Sequence, residues 1–263
     1  MPNAPLSQTP VVLSWSGGKD SALALEALRG SEHFDVVGLL TTVTTTYDRI
    51  SIHGVRRALL HRQATALGLP LWEVSLEADC SNEIYEAAVD AALQRVQAEL
   101  PRVSTLAFGD LFLSDVRAYR ERLFEALGFR CVFPLWGRDT AVLAREVSAR
   151  GYEARIVCVD TQAMAAGFAG RPYDEALLTE LPAHVDPCGE RGEFHTFVAA
   201  GPVFRERVAY QVGEVVLRQE RFAFCDLVPM DSTPPISDPS TAATATRTVV
   251  GAGHASRDST SAR

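Results

Sequence analysis

Ser14-Trp15-Ser16-Gly17-Gly18-Lys19-Asp20-Ser21 follows the apolar run Val11-Val12-Leu13 and precedes Ala22-Leu23-Ala24-Leu25-Glu26-Ala27-Leu28. The order is strand, glycine turn, helix start. Gly17 and Gly18 let the backbone bend where a Cβ would clash. The turn aims the first amides of the new helix at one point, where the helix dipole also favours an anion. Lys19 adds a point charge, and Ser16 and Ser21 add hydroxyl donors. Residues 16–21 therefore read as a phosphate cradle. Their spacing is not that of a Walker loop, which needs Gly, four residues, then Gly-Lys-Ser/Thr, nor that of Gly-x-Gly-x-x-Gly.

The rest of the chain suits a nucleotide-binding α/β protein. Its 263 residues bury a core easily, and 47% hydrophobic with 22% charged residues is ordinary for a globular protein. A net charge of −8 gives no general affinity for nucleic acid. No apolar run approaches the ~20 residues of a membrane helix. The opening Met-Pro-Asn-Ala-Pro lacks the basic flank and apolar core of a signal peptide, so the expected compartment is the cytoplasm. Cys80, Cys131, Cys158, Cys188 and Cys225 form no Cys-x-x-Cys pair, which argues against zinc ribbons and iron–sulfur clusters. Cys131, Cys158 and Cys225 read as core thiols.

Up to about residue 130, apolar strands alternate with amphipathic helices. Strands are expected at 11–14, 36–42, 71–76 and 105–108. Helices are expected at 21–29, 54–67, 82–100 (capped by Asn82) and 116–127. Such alternation implies a parallel sheet with right-handed crossovers, whose ligands bind beyond the strand C-terminal ends. From 131 to 228 a smaller α/β domain is expected, with helices at 140–150 and 173–180 and a strand at 154–160. Antiparallel strands are expected at 193–198, 207–217 and 221–227. Residues 229–263 turn to Ser, Thr, Ala, Pro and Gly and read as a disordered tail.

A second concentration of chemistry is Asp186-Pro187-Cys188-Gly189-Glu190-Arg191-Gly192-Glu193-Phe194-His195-Thr196-Phe197. If 193–198 is a strand, Glu193, His195 and Phe197 share one face, with room for base or ammonia-handling chemistry. A tight turn with a half-exposed edge strand explains the segment equally well. Asp110, after a buried strand, would be costly without a cation or donors. Arg117 and Arg120 oppose the dipole of the helix they open, which calls for a bound anion or a paired acid. Arg56 and Gln63 fall on one helical face and are surface groups or substrate or phosphate contacts; His53, just before that helix, is a cap or a substrate contact. Thr41 and Thr42 close a strand.

Ser16–Ser21, Gly109-Asp110, Pro134-Leu135-Trp136 and Cys188-Gly189-Glu190 with Gly192-Glu193 together resemble the diphthine–ammonia ligase family of PP-loop (N-type) ATP pyrophosphatases. The resemblance runs from about Val11 to Leu227. It implies a Rossmann-like HUP domain followed by a smaller α/β domain. It also implies adenylation of a carboxylate by ATP, releasing pyrophosphate, and then amide formation with ammonia. Lys19, Asp110, Glu190, Glu193 and His195 are the catalytic candidates it suggests. Ser16, Gly17, Gly18, Lys19, Asp20, Ser21, Thr41, Thr42, Gly109 and Asp110 would hold ATP, with Mg²⁺ on Asp20. His53, Arg56, Gln63, Arg117, Arg120 and Cys188 would face the acceptor.

The family motif reads approximately Cys-Gly-Glu-Gly-Gly-Glu-Tyr-Glu-Thr. Here Arg191, Phe194 and His195 depart from it. His53-Gly54-Val55-Arg56 and the stretch from Gly109 to Glu121 look like the bacterial branch, so the ligase chemistry is expected with a different acceptor. The expected partners are ATP, a small-molecule or protein-borne carboxylate and ammonia or an amine, with a homodimer left open. The alternatives are a tRNA- or nucleoside-modifying PP-loop ATPase and a non-catalytic ATP sensor.

Overall fold

The computed structural model describes residues 8–230; the expected tail lies almost wholly outside them. The phosphate-loop segment folds as its pattern requires. β1 (Thr9–Ser14) holds Val11, Val12 and Leu13 fully buried, and α1 (Lys19–Arg29) ends at Gly30. β2 (Phe34–Thr44), β4 (Leu71–Leu76), β5 (Thr105–Ala107) and β6 (Arg130–Val132) complete a ladder, β4-β2-β1-β5-β6, in which every pairing is parallel. The chain steps outward from β1 to β2 on one side and to β5 on the other. The ends of β1 and β5 thus flank a topological switch point, the usual ligand position in such sheets. This is the Rossmann-like arrangement expected.

One face of the sheet is covered by α3 (Asn82–Glu99) and α4 (Ser114–Ala126), through Trp72, Leu93, Val96 and Phe124. The other face carries α1 and α2 (Arg57–Leu67), whose buried Leu25, Leu59 and Leu60 share a core with residues of the second sheet. That sheet is antiparallel throughout, in the order β8-β7-β10-β9: β7 (Glu153–Asp160), β8 (Phe194–Ala200), β9 (Tyr210–Arg218) and β10 (Phe222–Pro229). α5 (Thr140–Ala149) and α6 (Glu175–Glu180) accompany it.

Three local expectations need correction. The second helix begins at Arg57, not Gly54, because β3 (Arg49–Ile50) folds back on Val43–Thr44 and the chain turns through 51–56 before the helix starts. α3 is capped by Ser81, whose hydroxyl accepts from Ile84 N at 3.4 Å, and not by Asn82. The strand β6, too short to show periodicity, was not expected and extends the first sheet past residue 130. Among the described residues no helix is long and apolar enough to cross a membrane.

Candidate functional site

The loop is anchored from behind. Gly17 sits at φ +80°, a left-handed conformation that favours glycine. Its carbonyl accepts from Val198 N of β8 at 2.9 Å and from Gln63 Nε2 at 3.0 Å. Gly18 O takes Ala22 N and the Ser21 hydroxyl, and Ser16 Oγ lies 3.3 Å from Gly18 N. Lys19 N donates to Thr196 Oγ1 at 3.1 Å. With the carbonyls turned back into the protein, the amides of Gly17, Asp20 and Ser21 find no partner among the described residues. That is the donor array a phosphate chain requires.

The packing around the loop leaves no room for side chains there. A Cβ on Gly18 would lie 3.0 Å from Thr196 O and 3.3 Å from His53 Cε1, and one on Gly109 would lie 3.0 Å from the Asp20 carbonyl carbon. Gly109, after β5, therefore brings the second arm of the switch point against the loop.

Lys19 is 2% exposed. Its ammonium donates to Asp20 Oδ2 at 2.8 Å and to Cys188 O, and lies above the rings of Tyr173 and Phe194 at 5.5 and 5.4 Å. An ammonium has three donors, so one is left for a ligand. Burial is the largest single influence and works against the charge, but the charge and hydrogen bond of Asp20, with Cys188 and Glu190 adding to them, raise the Lys19 pKa overall. Asp20 Oδ1 is buried with no partner. Among the described residues no group of three His, Cys, Asp or Glu side chains is arranged to hold a metal ion. The donor set thus fits a cation carried in on phosphate oxygens and met by one carboxylate, not a protein cage.

The Cys188–His195 segment meets the loop directly, though with different roles from those expected. Asp186 Oδ1 accepts from Cys188 N at 2.9 Å, and its Oδ2 takes the Thr140 hydroxyl at 2.7 Å. Glu190 Oε1 accepts from Leu111 N at 2.7 Å and Phe112 N at 3.3 Å, tying this segment to the 109–113 arm. Burial pushes the Glu190 carboxyl up to about 7; the Leu111 amide opposes this and the Asp20 charge adds to it. His195, half-buried, packs against half-buried His53, with ring centroids 4.5 Å apart. His53 Nδ1 lies 3.3 Å from Thr196 O, and the His195 ring nitrogens have no hydrogen-bond partner among the described residues. Burial holds His53 near 4, and burial together with His53 holds His195 well below 6.5, so both rings are neutral near pH 7.

Several expected site residues are committed elsewhere. Glu193 does not share a strand face with His195, because β8 begins at Phe194. Its carboxylate accepts from Asp186 N at 2.9 Å and Arg191 N at 3.0 Å, and so closes its own loop. Gln63 is fully buried and takes Trp15 Nε1, Gly17 O and Val198 O, so it is scaffold and not a substrate contact. Arg56 forks onto Asp226 of β10 at 3.0 and 2.6 Å, away from the Gln63 face. Thr41 is buried with its hydroxyl on Trp15 O, while Thr42 remains half-buried at the strand end.

The remaining candidates are likewise paired. Asp110 has its charge met by Arg120, 2.9 Å away, and Arg120 lies over Phe108. Arg117 pairs with Glu121 and sits between the rings of Phe133 and Trp136. The basic helix start is thus answered by paired acids. Cys188 is buried with its thiol on Thr140 O, and burial pushes it up to about 12, so only its carbonyl serves the site. Sequence reasoning missed Thr196 as a loop contact and Asp186 as the acceptor that holds the Cys188–Glu190 turn, although both stand in the quoted segment.

Two family models match the chain: the diphthamide synthase N-terminal domain over residues 9–131 and the diphthamide synthase C-terminal domain over 139–227. Among curated proteins, the chain is 26% identical over 263 residues to diphthine–ammonia ligase of Bos taurus, covering 85% of this chain and 93% of that one. It is 26% identical over 235 residues to the Homo sapiens protein of the same name, covering 77% and 83%. Against the Schizosaccharomyces pombe protein it is 23% identical over 223 residues, covering 76% of this chain and 36% of that longer one.

Proposed function

The chain belongs to the diphthamide synthase family, and on that premise we propose that it is an ATP-dependent adenylating ligase that forms an amide on a carboxylate acceptor. The observation that carries this reading is the loop itself. Gly17, Asp20 and Ser21 carry amides with no partner among the described residues, at the switch point and beside a charged Lys19 held by Asp20 and Cys188 O. The spacing differs from loops that serve γ-phosphate transfer, and the relatives named above are ligases.

ATP is a substrate here. The loop amides and the free Lys19 donor hold its pyrophosphate portion and stabilise the charge that develops as pyrophosphate departs, an electrostatic route to rate enhancement. Asp20 would hold a Mg²⁺ ion brought with the phosphates, and that ion would neutralise phosphate charge. A carboxylate oxygen of the acceptor attacks the α-phosphorus, and the bond to pyrophosphate breaks. The amine nitrogen then attacks the acyl carbon, AMP leaves, and the amine proton passes to a neutral imidazole. His195, whose ring nitrogens find no partner among the described residues and whose ring packs on His53, is the imidazole we assign to that last role. Glu190, close to half-ionised near neutrality, lines the same side. The acceptor is a small-molecule or protein-borne carboxylate, and the nitrogen donor is ammonia or another amine.

The test is incubation with Mg²⁺, α-labelled ATP, ammonium and a metabolite-plus-protein extract, with AMP separated from ADP. The expected product is extract-dependent AMP, reduced about 10²–10³-fold in Lys19→Ala. ADP as sole product would sink the α-phosphate mechanism. Tight ATP binding with no AMP from any fraction would make the protein a sensor, and turnover that requires added tRNA would make it a nucleoside-modifying enzyme.

A further inference from the structure

Among the described residues β9 is the outer strand of the second sheet, bonded to β10 along one side and to no strand along the other. Val212, Val215 and Leu217 are 42%, 48% and 55% exposed. An exposed, apolar edge of this length is a template for another strand unless something covers it. Within Tyr210-Gln211-Val212-Gly213-Glu214-Val215-Val216-Leu217-Arg218 the charged residues are Glu214 and Arg218. They lie about 13 Å apart along the strand, too far to pair with each other. Neither joins an ion pair among the described residues.

We propose that β9 pairs antiparallel with β9 of a second copy, about a two-fold axis through Val216, so that the two sheets join into one. β9 bulges between Val212 and Val215, where three of its steps face the two from Cys225 to Leu227, and pairs regularly from Val215 on. Past the bulge, two copies of the edge present the same alternate amides outward, so opposing residues there must be of equal parity. That leaves a small set of registers. Centred on Glu214 or on Arg218, the pairing sets like charges face to face. Centred on Val215, it sets Glu214 opposite Val216 of the partner subunit; centred on Leu217, it sets Arg218 opposite Val216 of the partner subunit and Glu214 opposite Glu220 of the partner subunit. Centred on Val216, it sets Glu214 opposite Arg218 of the partner subunit, and Arg218 opposite Glu214 of the partner subunit. Val215 then meets Leu217 of the partner subunit on the other face. This register alone is complementary in both charge and apolar contact, as favourable cross-strand pairs require. The interface is small, so the dimer is concentration-dependent.

Sedimentation of the full chain from about 1 to about 100 µM, the range in which a small interface pairs, should show the mass rising from one copy toward two. Glu214→Arg alone and Arg218→Glu alone each place like charges opposite one another at both positions. Each should weaken the dimer about tenfold or more. The double variant Glu214→Arg with Arg218→Glu should restore it, which a merely disruptive substitution would not do. A single-copy mass across the whole range would overturn the proposal and give the edge to another occupant, such as residues 231–263 of the same chain. A dimer indifferent to the single reversals, or a double variant no better than the singles, would overturn it in favour of another surface or register.

Discussion

The two edges of the second sheet have opposite fates. The β8 edge is closed by the phosphate loop: Val198 donates to Gly17 O and accepts from Gln63, and Thr196 takes Lys19 N. The β9 edge, in the same sheet, runs open with its valines in solvent. Unpaired strand edges must be satisfied somehow, and here one is satisfied by docking the second sheet on the phosphate loop of the first. The Cys188–His195 segment meets that loop because β8, which follows it, is docked there. Substitutions at the β8 edge should therefore damage stability and catalysis together, and substitutions at the β9 edge neither.

Gln63→Ala should show the largest loss. The residue is fully buried and joins Trp15, the loop carbonyl of Gly17 and Val198 of β8. Removing it leaves a cavity and stranded polar groups, worth about 2–4 kcal/mol of stability. Denaturant unfolding should show that loss, with weaker ATP binding alongside; an unchanged midpoint would mean that β8 is held on the loop by other contacts. Glu193→Ala should follow, at about 1–3 kcal/mol, because two loop amides lose a buried acceptor. Its AMP formation should recover in part in Glu193→Gln, which keeps an acceptor in place. If Glu193 were instead a catalytic base, the glutamine variant would be as inactive as the alanine.

Much of this was legible in the sequence, and the reason lies in local chemistry. The loop, the alternation of strand and helix, and the Cys188–His195 cluster are short-range patterns in which turn residues and periodicity agree. Pairings between distant residues were not legible. Gln63 reads as a polar group on an amphipathic helix, and only the arrival of Trp15 and Val198 from 48 and 135 residues away buries it. Arg56 looks free until Asp226 of β10 is placed beside it. Glu193 looks like a base beside His195 until the strand is seen to start one residue later. Nor could spacing reveal that His53 and His195 meet, since one precedes a helix and the other lies in a strand of the other sheet.

The β8 side also carries opposed pH responses. Glu190 is raised from 4.5 to about 7, so its contribution is fully present below 4.5 and is lost as the pH rises through 7. His53 is lowered from 6.5 to about 4, so its contribution is present above 6.5 and is lost as the pH falls through 4. His195 shifts in the same direction as His53. Between 4.5 and 6.5 the slopes partly cancel, and wild-type Tm should vary little there. Glu190→Gln should expose the histidine slope, with Tm climbing as pH rises; His53→Asn should tilt the curve the other way. Parallel curves for all three proteins would show that these groups are not the ones titrating.

The smallest effect is expected at the open edge, where it sharpens the contrast. Glu214 is exposed and joins no ion pair among the described residues, so Glu214→Arg should leave monomer stability within about 0.5 kcal/mol of wild type. AMP formation at low protein concentration, where one copy predominates, should also be unchanged. A drop in activity at low concentration would mean that β9 reaches the site through β10, and that the two edges are coupled. A drop that appears only where the wild type is dimeric would instead make the second copy part of the working enzyme. Activity measured against protein concentration separates these outcomes, because the β8 edge is satisfied within one chain and the proposed pairing of β9 requires a second.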